Sequence, residues 1–148
     1  MLNKLVAVAS FVGVMFLSGC AAVNKAPDHL DAQAKQFQAN PEYSQVYVYR
    51  NETFGAAVSM PVSVNGKEAG TTGPKSFFKF LLPEGKHVIK SQGEESVLEI
   101  STQKNKTYFV WQEVKMGAFS AGSELQIVDE EKGKAGVLEC SLIKGNFN

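Results

Sequence analysis

The sequence predicts an all-β fold, a mostly antiparallel β-sandwich with a short helix before it and a second short helix near its end. From Gln45 onwards apolar residues recur mainly with a period of two, the period of a strand with one buried face. Short strand-like runs are separated by Gly, Pro and Asn turn signals, as in sandwiches and barrels. Hairpin-length connections favour antiparallel pairing. The chain has 148 residues, 44% of them hydrophobic, so it can bury the core of one domain.

The first 20 residues have the pattern of a secretory signal. Lys4 precedes an apolar run over residues 5–17, and small residues follow that run. The run is shorter than the roughly 20 apolar residues that span a bilayer. We therefore expect export, with a signal peptide over residues 1–19.

The tetrad Leu17-Ser18-Gly19-Cys20 resembles the lipobox of bacterial lipoproteins. The resemblance implies cleavage between Gly19 and Cys20, a diacylglyceryl group on the Cys20 sulfur and acylation of the new amino group. Each buried methylene contributes about 0.8 kcal/mol to membrane binding, so two or more chains anchor a protein stably. Ala21 stands where inner-membrane lipoproteins commonly have Asp, which implies the outer membrane, with the domain in the periplasm. A plain signal cut elsewhere or an uncleaved anchor is the alternative.

Residues 20–41 are expected to be the lipid anchor and a tether, because they lack strong apolar periodicity. Within them Asp28 is expected to cap a short helix from His29 to about Gln38, which either packs on the domain or lies loose. Residues 42–148 then form the single β-domain.

The first predicted strand, residues 46–49, is apolar on both faces and is therefore placed in the centre of a sheet. The second, residues 58–64, contains Pro61, which cannot donate a backbone hydrogen bond and so indicates an edge or a bulge. Asn65-Gly66 predicts a hairpin turn, because both residues tolerate positive φ. Further strands are predicted over residues 67–71, 77–82, 87–92, 97–101, 107–114 and 123–128.

The last strand leads into a closing helix. Leu125 and Ile127 are expected to point inward from that strand. Asp129 is expected to cap the helix, since an Asp at this position accepts a hydrogen bond from an amide of the first turn. Helical spacing predicts a buried face made of Ala135, Leu138 and Leu142.

The chain contains three groups of motifs in a specific order. They are Val-Tyr-Val-Tyr-Arg within residues 34–50, Val-Ser-Val-Asn-Gly-Lys and Leu-Pro-Glu-Gly-Lys-His within 62–87, and Thr-Tyr-Phe-Val and Glu-Val-Lys-Met-Gly within 107–117. In this order they resemble a bacterial lipoprotein family of uncharacterised function, of the DUF2846 type. The middle group also resembles the PEGA domain, a small sandwich of about immunoglobulin-like size, although Thr-Thr-Gly-Pro at 71–74 replaces its usual Thr-Pro. Neither family supplies a catalytic residue.

Composition and motifs favour a protein that is not an enzyme and binds no nucleic acid. Lys plus Arg equals Asp plus Glu at 15 each, so no basic field attracts nucleic acid. The histidines, His29 and His87, and the two cysteines lack metal-ligand spacing, so no metal and no cofactor other than the lipid is expected. With Cys20 lipidated, Cys140 has no partner in the chain and is expected to be buried. A nucleophile pair of Cys140 and His87 is the alternative.

Binding is the favoured class of function, and four residues are candidates for it. Met116 and Phe119 lie in an expected loop, where they either contact a partner or fold back as a lid on the core, which is slightly favoured. Trp111 and aromatic residues of neighbouring strands form either a surface for a peptide, glycan or lipid or a second layer under the closing helix. Arg50, the only arginine, either binds an anionic group or pairs with an acid such as Glu52.

The sequence therefore predicts a membrane-anchored lipoprotein that acts as a non-catalytic binding or structural module of the cell envelope. Its expected partners are the membrane and an envelope protein or cell-wall component. Carriage of a hydrophobic ligand such as lipid is the second hypothesis, and it requires a continuous apolar cavity of several hundred cubic ångströms. A hydrolase that uses Cys140 and His87 is the third.

Overall fold

The computed structural model describes residues 23–94 and 96–147, which form nine strands and two short helices and confirm the all-β class. The elements are α1 (Asp28–Ala34), β1 (Ser44–Arg50), β2 (Met60–Val64), β3 (Lys67–Thr72), β4 (Ser76–Leu82), β5 (Gly85–Lys90), β6 (Val97–Thr102), β7 (Thr107–Met116), β8 (Ala121–Val128), α2 (Glu130–Leu138) and β9 (Ser141–Leu142). The predicted signal peptide and its cleavage site at Gly19 and Cys20 lie outside the described residues. In the described part of the chain, no helix has the length and apolar character needed to cross a membrane.

The strands belong to two sheets. The five-stranded sheet has the order β8–β7–β1–β4–β9, and the four-stranded sheet has the order β3–β2–β5–β6. Most neighbours are antiparallel, as predicted, but β1 runs parallel to β7 and β4 runs parallel to β9. Hairpin-length connections could not predict these two pairs, because the paired strands are far apart in the sequence.

Strand β1 lies in the centre of the five-stranded sheet, and all seven of its residues are buried. Val46 and Val48 point to one face, while Tyr47 and Tyr49 point to the other, as the alternation of a strand requires. This double burial is what the apolar run at residues 46–49 predicts.

One face of β1 contributes to a hydrophobic cluster that contains side chains from both sheets. Val46 and Val48 belong to it together with Val62, Ile89 and Ile100 of the four-stranded sheet. A contiguous cluster of this kind is the usual core of a domain. The two sheets therefore share one core.

The other face of β1 lies under α2, and two glycines bring the helix unusually close. A Cβ atom on Gly133 would lie 2.2 Å from the Phe109 ring, and one on Gly136 would lie 2.2 Å from the Tyr49 ring. Only a residue without a side chain fits at these positions. The helix backbone therefore rests directly on the aromatic rings.

The buried face of α2 differs from the predicted one. Ala135 and Leu138 are exposed, and Leu142 lies in β9 rather than in the helix. The buried residues of the helix are Gly133, Gly136 and Val137. The helical spacing was misleading because the rings below the helix leave no room for side chains at the two glycine positions, which therefore turn inward. Ile127 is also exposed rather than inward, since β8 is the outermost strand of its sheet. Asp129 caps the helix as predicted.

Part of the predicted tether packs on the five-stranded sheet. Helix α1 ends at Ala34 rather than near Gln38, and its N-cap is Pro27 rather than Asp28. The buried Tyr47 hydroxyl donates a hydrogen bond of 2.8 Å to the Ala34 carbonyl. This bond and the burial of Ala34 attach α1 to the face of β1 that carries the tyrosines.

The turn chemistry of β2 agrees with the sequence prediction. The register of β2 against β3 shifts just after Val62, and only the last two residues of β2 pair with β5. Pro61 thus lies where β2 has no neighbour on the β5 side, as its missing amide requires. Asn65 and Gly66 have φ of 53° and 80°, which confirms the predicted hairpin.

Replacing Gly136 by alanine should destabilise the domain by about 1–3 kcal/mol, the usual cost of overpacking a core. The sign is diagnostic, because alanine is the better helix former by about 1 kcal/mol and would otherwise stabilise α2. Urea unfolding measures the effect. The control is Ala135→Gly at an exposed position of the same helix, which should cost only about 1 kcal/mol. Equal or higher stability of Gly136→Ala would show that the helix does not rest on the Tyr49 ring.

Candidate functional site

The β7–β8 hairpin ends in an exposed apolar tip, which we define as Met116 and Phe119. Met116 is 57% exposed and Phe119 is fully exposed. The Gly117 amide donates a hydrogen bond of 2.9 Å to the Ser120 carbonyl and closes the turn between them. The slightly favoured prediction of a lid over the core is therefore wrong, and both side chains are accessible.

The tip is exposed because β7 continues past the end of β1. Trp111 of β7 is level with Tyr49 near the end of β1. From there β7 extends five more residues to Met116, two residues beyond its predicted end at residue 114. At about 3.3 Å per residue, the hairpin projects roughly 16 Å past that level. The side chains at its end therefore have no core beneath them to cover.

Charged side chains join the two strands at the base of the tip. Glu113 lies directly opposite Glu124, and Lys115 bridges the two carboxylates at 2.9 Å and 3.2 Å. Its hydrogen bonds, first to Glu113 and then to Glu124, raise the pKa of Lys115. This arrangement was not predicted from the sequence. The pattern that could have revealed it is an acid and a lysine two residues apart on one strand face, opposite an acid on the next strand.

A surface cleft of about 410 Å³ lies beside the base of the tip. It runs between the β5–β6 turn and the hairpin, and its lining includes Gln92, Glu94, Lys115 and Ser120. The Ser123 amide of β8 donates a hydrogen bond of 2.7 Å to the Gln92 carbonyl and joins the hairpin to the β5–β6 turn. The base of the hairpin is thus braced by the neighbouring turn, while the side chains at its apolar end are exposed.

Arg50 is completely buried at the end of β1. Its guanidinium donates hydrogen bonds to three carbonyl oxygens of the following loop, those of Val58 at 2.7 Å, Gly55 at 2.8 Å and Phe54 at 3.3 Å. The structure therefore places Arg50 as the group that holds this loop. Its guanidinium is not exposed to an external anion.

Glu52 does not pair with Arg50 directly. Its Oε1 accepts a hydrogen bond of 3.1 Å from the Val114 amide, which ties the loop to β7. Among the described residues, Arg50 has no acid within ion-pair distance. Burial lowers the pKa of Arg50, and the nearby charge of Glu52 partly offsets this. Both side chains thus organise the loop after β1.

The aromatic residues near Trp111 form a covered layer rather than a binding surface. Tyr47 and Tyr49 of β1 and Phe109 of β7 are buried on the face of the five-stranded sheet that lies under the two helices. The Nζ of Lys132, on α2, lies 4.4 Å from the centre of the Trp111 ring, a cation–π contact. Of the two interpretations of these aromatic residues, the layer under the closing helix is the one that the structure shows.

The structure separates Cys140 from His87. The Cys140 thiol is buried, 3.4 Å from the Arg50 carbonyl at the end of β1. His87 Nε2 donates a hydrogen bond of 2.7 Å to the Pro83 carbonyl, and its Nδ1 accepts one of 2.9 Å from the side-chain amide of Asn65. Pro83 directly follows the end of β4, which pairs with the start of β1. The seven residues of β1 span about 20 Å, so the two side chains do not form a nucleophile pair.

No described feature favours a metal site or a ligand cavity. Within residues 23–94 and 96–147, no three His, Cys, Asp or Glu side chains are placed to hold a metal ion. The cleft beside the tip and a second cleft along β5 and β6 are open at the surface, and charged side chains such as Lys115 and Lys86 take part in their linings. The space between the sheets is occupied by the shared hydrophobic cluster.

The chain enters the described domain far from the tip. Lys25 pairs with Ile143 beside β9, and the strand registers place Val23 about level with Val46 of β1. Met116 lies about eight residues further along the strand direction, which corresponds to about 25 Å. The entry of the chain and the apolar tip therefore lie towards opposite ends of the five-stranded sheet.

Alkaline pH should destabilise the protein through Cys140. Burial raises the pKa of its thiol from 9.0 to about 12. Above pH 9 the unfolded chain loses this proton while the folded chain keeps it, so the free energy of unfolding should fall by up to about 1.4 kcal/mol per pH unit. Urea unfolding at a series of pH values measures this slope.

The control for this prediction is Cys140→Ala. It should remove most of the slope between pH 9 and 10, before the buried tyrosines contribute fully. An equal slope in the wild type and the variant would contradict the burial of the thiol.

Comparisons with known proteins agree on a family without an assigned activity. The model of a family described as proteins of unknown function (DUF2846) matches residues 40–123. An uncharacterised protein of Haemophilus influenzae is 35% identical over 145 residues, which cover 95% of this chain and 86% of that protein. No solved structure matches this chain.

Proposed function

The chain belongs to the DUF2846 family of proteins of unknown function. We propose that it is a lipoprotein of the bacterial outer membrane. In this proposal residues 1–19 are removed and Cys20 bears the lipid. The domain faces the periplasm and acts as a non-catalytic binding or structural module, whose partner is an envelope protein or a cell-wall component. The lipobox-like tetrad that ends at Cys20 supports the anchor.

The observation that carries the binding role is the exposed tip at the end of the domain away from the chain entry. Single exposed apolar residues are common on protein surfaces, but contiguous ones mark interaction sites. Here Met116 and Phe119 lie together on a projecting hairpin whose base is fixed by ion pairs. Burial of both side chains against a partner would remove this apolar surface from water.

The proposal includes a β-sandwich architecture with PEGA-like features. The hydrophobic cluster shared by the two sheets supports the sandwich. The Asn65-Gly66 hairpin and the turn at Pro83 support the likeness to PEGA domains, and His87 hydrogen-bonds to both of them. Such a compact unit suits a module that presents loops to a partner.

Labelled fatty acid should be incorporated into the wild-type protein and not into Cys20→Ser. The intact mass of the protein extracted from membranes should equal the chain from Cys20 onwards plus its acyl groups. The unfolded product should contain one free thiol, that of Cys140, because the Cys20 sulfur is in a thioether. An unacylated wild-type product cut at another bond would refute the anchor.

Crosslinking in intact cells tests the tip. An apolar anchor residue of an interface typically contributes about 2 kcal/mol or more, so Phe119→Asp should reduce the crosslinked adducts by roughly tenfold or more. Met116→Asp should act in the same direction. Neither change should lower stability much, because both side chains are exposed.

Ile127→Asp is the matched control, since Ile127 is 52% exposed on β8. Ile127 lies opposite Val110, six residues from Met116 along β7, so this substitution introduces the same charge about 20 Å from the tip. It should leave the adducts unchanged. If the adducts also persist in Met116→Asp and Phe119→Asp with an intact fold, the tip is not the binding site.

A further inference from the structure

Three exposed lysines surround the point where the chain enters the domain. Lys25 and Lys144 lie on adjacent backbone segments, where the Lys144 amide donates a hydrogen bond of 2.8 Å to the Asn24 carbonyl. The Nζ of Lys67 lies 4.6 Å from the centre of the Phe147 ring, in the same C-terminal segment. Lys25 lies opposite Ile143, and Lys144 is the next residue along, so these two side chains point to different faces of the sheet. The three positive charges therefore surround the chain entry rather than form one face.

Two further lysines lie in the β6–β7 turn, at the same end of the five-stranded sheet. Lys104 and Lys106 are exposed. The Lys106 carbonyl accepts a hydrogen bond of 2.9 Å from the Gln45 amide near the start of β1, about level with Val23. We call Lys25, Lys67, Lys104, Lys106 and Lys144 the basic end.

The lysines of the basic end form no ion pair with any residue in the described ranges, whereas several other lysines do. The pairs are Lys35 with Asp31, Lys75 with Glu139, Lys115 with Glu113 and Glu124, and Lys134 with Glu130. The positive charges of the basic end are thus available to external anions, whereas four of the lysines elsewhere are paired with acids.

The net charge of the chain is divided unevenly. Three acids lie at the basic end and oppose its five lysines. Glu84 accepts a hydrogen bond from the Lys104 amide, the Glu68 carbonyl accepts one from Asn146, and Glu42 precedes Tyr43, whose carbonyl accepts one from the Asn105 amide. The rest of the chain after Cys20 has nine basic and twelve acidic side chains. A negative surface would therefore attract the basic end and repel the remainder, which orients the domain.

The length of the connection brings the basic end to the membrane. Two residues, Ala21 and Ala22, separate Cys20 from Val23. The three steps between them span at most about 3.6 Å each when extended, roughly 11 Å in all. The Debye length at physiological ionic strength is about 8 Å, so charges at the chain entry lie within about one and a half Debye lengths of the lipidated residue.

We infer that the basic end docks on the anionic phospholipid headgroups of the membrane that holds the Cys20 lipid. Each lysine near such a surface strengthens the attraction about fivefold, which corresponds to about 1 kcal/mol. Docking directs the apolar tip away from the bilayer, towards a partner. The inference rests on the proposed lipid anchor.

Amine labelling of the lipidated full-length protein tests the docking. The protein is added to preformed vesicles of phosphatidylcholine alone or mixed with phosphatidylglycerol, and the labelling of each lysine is read by mass spectrometry. The basic end should be labelled about tenfold more slowly on the anionic vesicles, since 1.4 kcal/mol of preference is a factor of ten. Lys90 and Lys132, both exposed elsewhere, should not change. High salt should abolish the protection.

Two variants separate the basic end from total charge. Lys25→Gln with Lys67→Gln and Lys144→Gln should restore the labelling of Lys104 and Lys106 to the rate seen on neutral vesicles. The control, Lys90→Gln with Lys132→Gln, also lowers the charge and should leave the protection in place.

The outcomes distinguish this inference from the proposed anchor. Equal labelling of the basic end on both vesicle types, or protection of Lys90 and Lys132 instead, would overturn the docking while flotation with the vesicles still supports the anchor. Protection that is as strong on neutral vesicles would also overturn it, because the contact would not be electrostatic. A wild-type protein that is unacylated and does not float would overturn the anchor itself.

Discussion

The burial of strand β1 on both faces is the constraint on which the rest of the structure depends. Val46 and Val48 must be covered by the four-stranded sheet, and Tyr47 and Tyr49 must be covered by helices. The strand ends in Arg50, whose two terminal nitrogens donate to carbonyl oxygens that the following loop turns inward, while its buried Nε has no partner among the described residues. The packing on both faces of β1 and the position of the following loop thus depend on these seven residues.

The parallel pairing of β1 with β7 gives the domain its polarity. Because β7 continues beyond the end of β1, its hairpin projects from one end of the sheet. The segment before α1 pairs beside β9 and leads the chain away from that end. If Cys20 bears a lipid, the same geometry places the lysines near the bilayer and the apolar tip at a distance from it. Anchoring, orientation and partner contact would then be separate tasks of separate surfaces.

Local chemistry made much of the fold predictable. The apolar run at residues 46–49, the Asn65-Gly66 turn and the Asp129 cap each depend on neighbours in the sequence, and each was predicted correctly. Features set by distant contacts were not predictable. The buried face of α2 depends on rings from other strands, and the exposure of Phe119 depends on how far β7 extends past the core. Arg50 was singled out by its rarity, but only the structure shows that a loop surrounds it.

The distance between the chain entry and the tip tests the polarity of the domain most directly. In a Cys20→Ser variant, Val23 and Phe119 are replaced together by cysteine and spin-labelled, while the buried Cys140 stays unlabelled in the folded protein. Four strand spacings of about 4.8 Å and about eight residues of rise at 3.3 Å give an expected separation of about 30 Å. That distance would support the opposed positions of entry and tip. A dominant distance below about 20 Å would contradict the parallel register of β1 and β7 and the polarity derived from it.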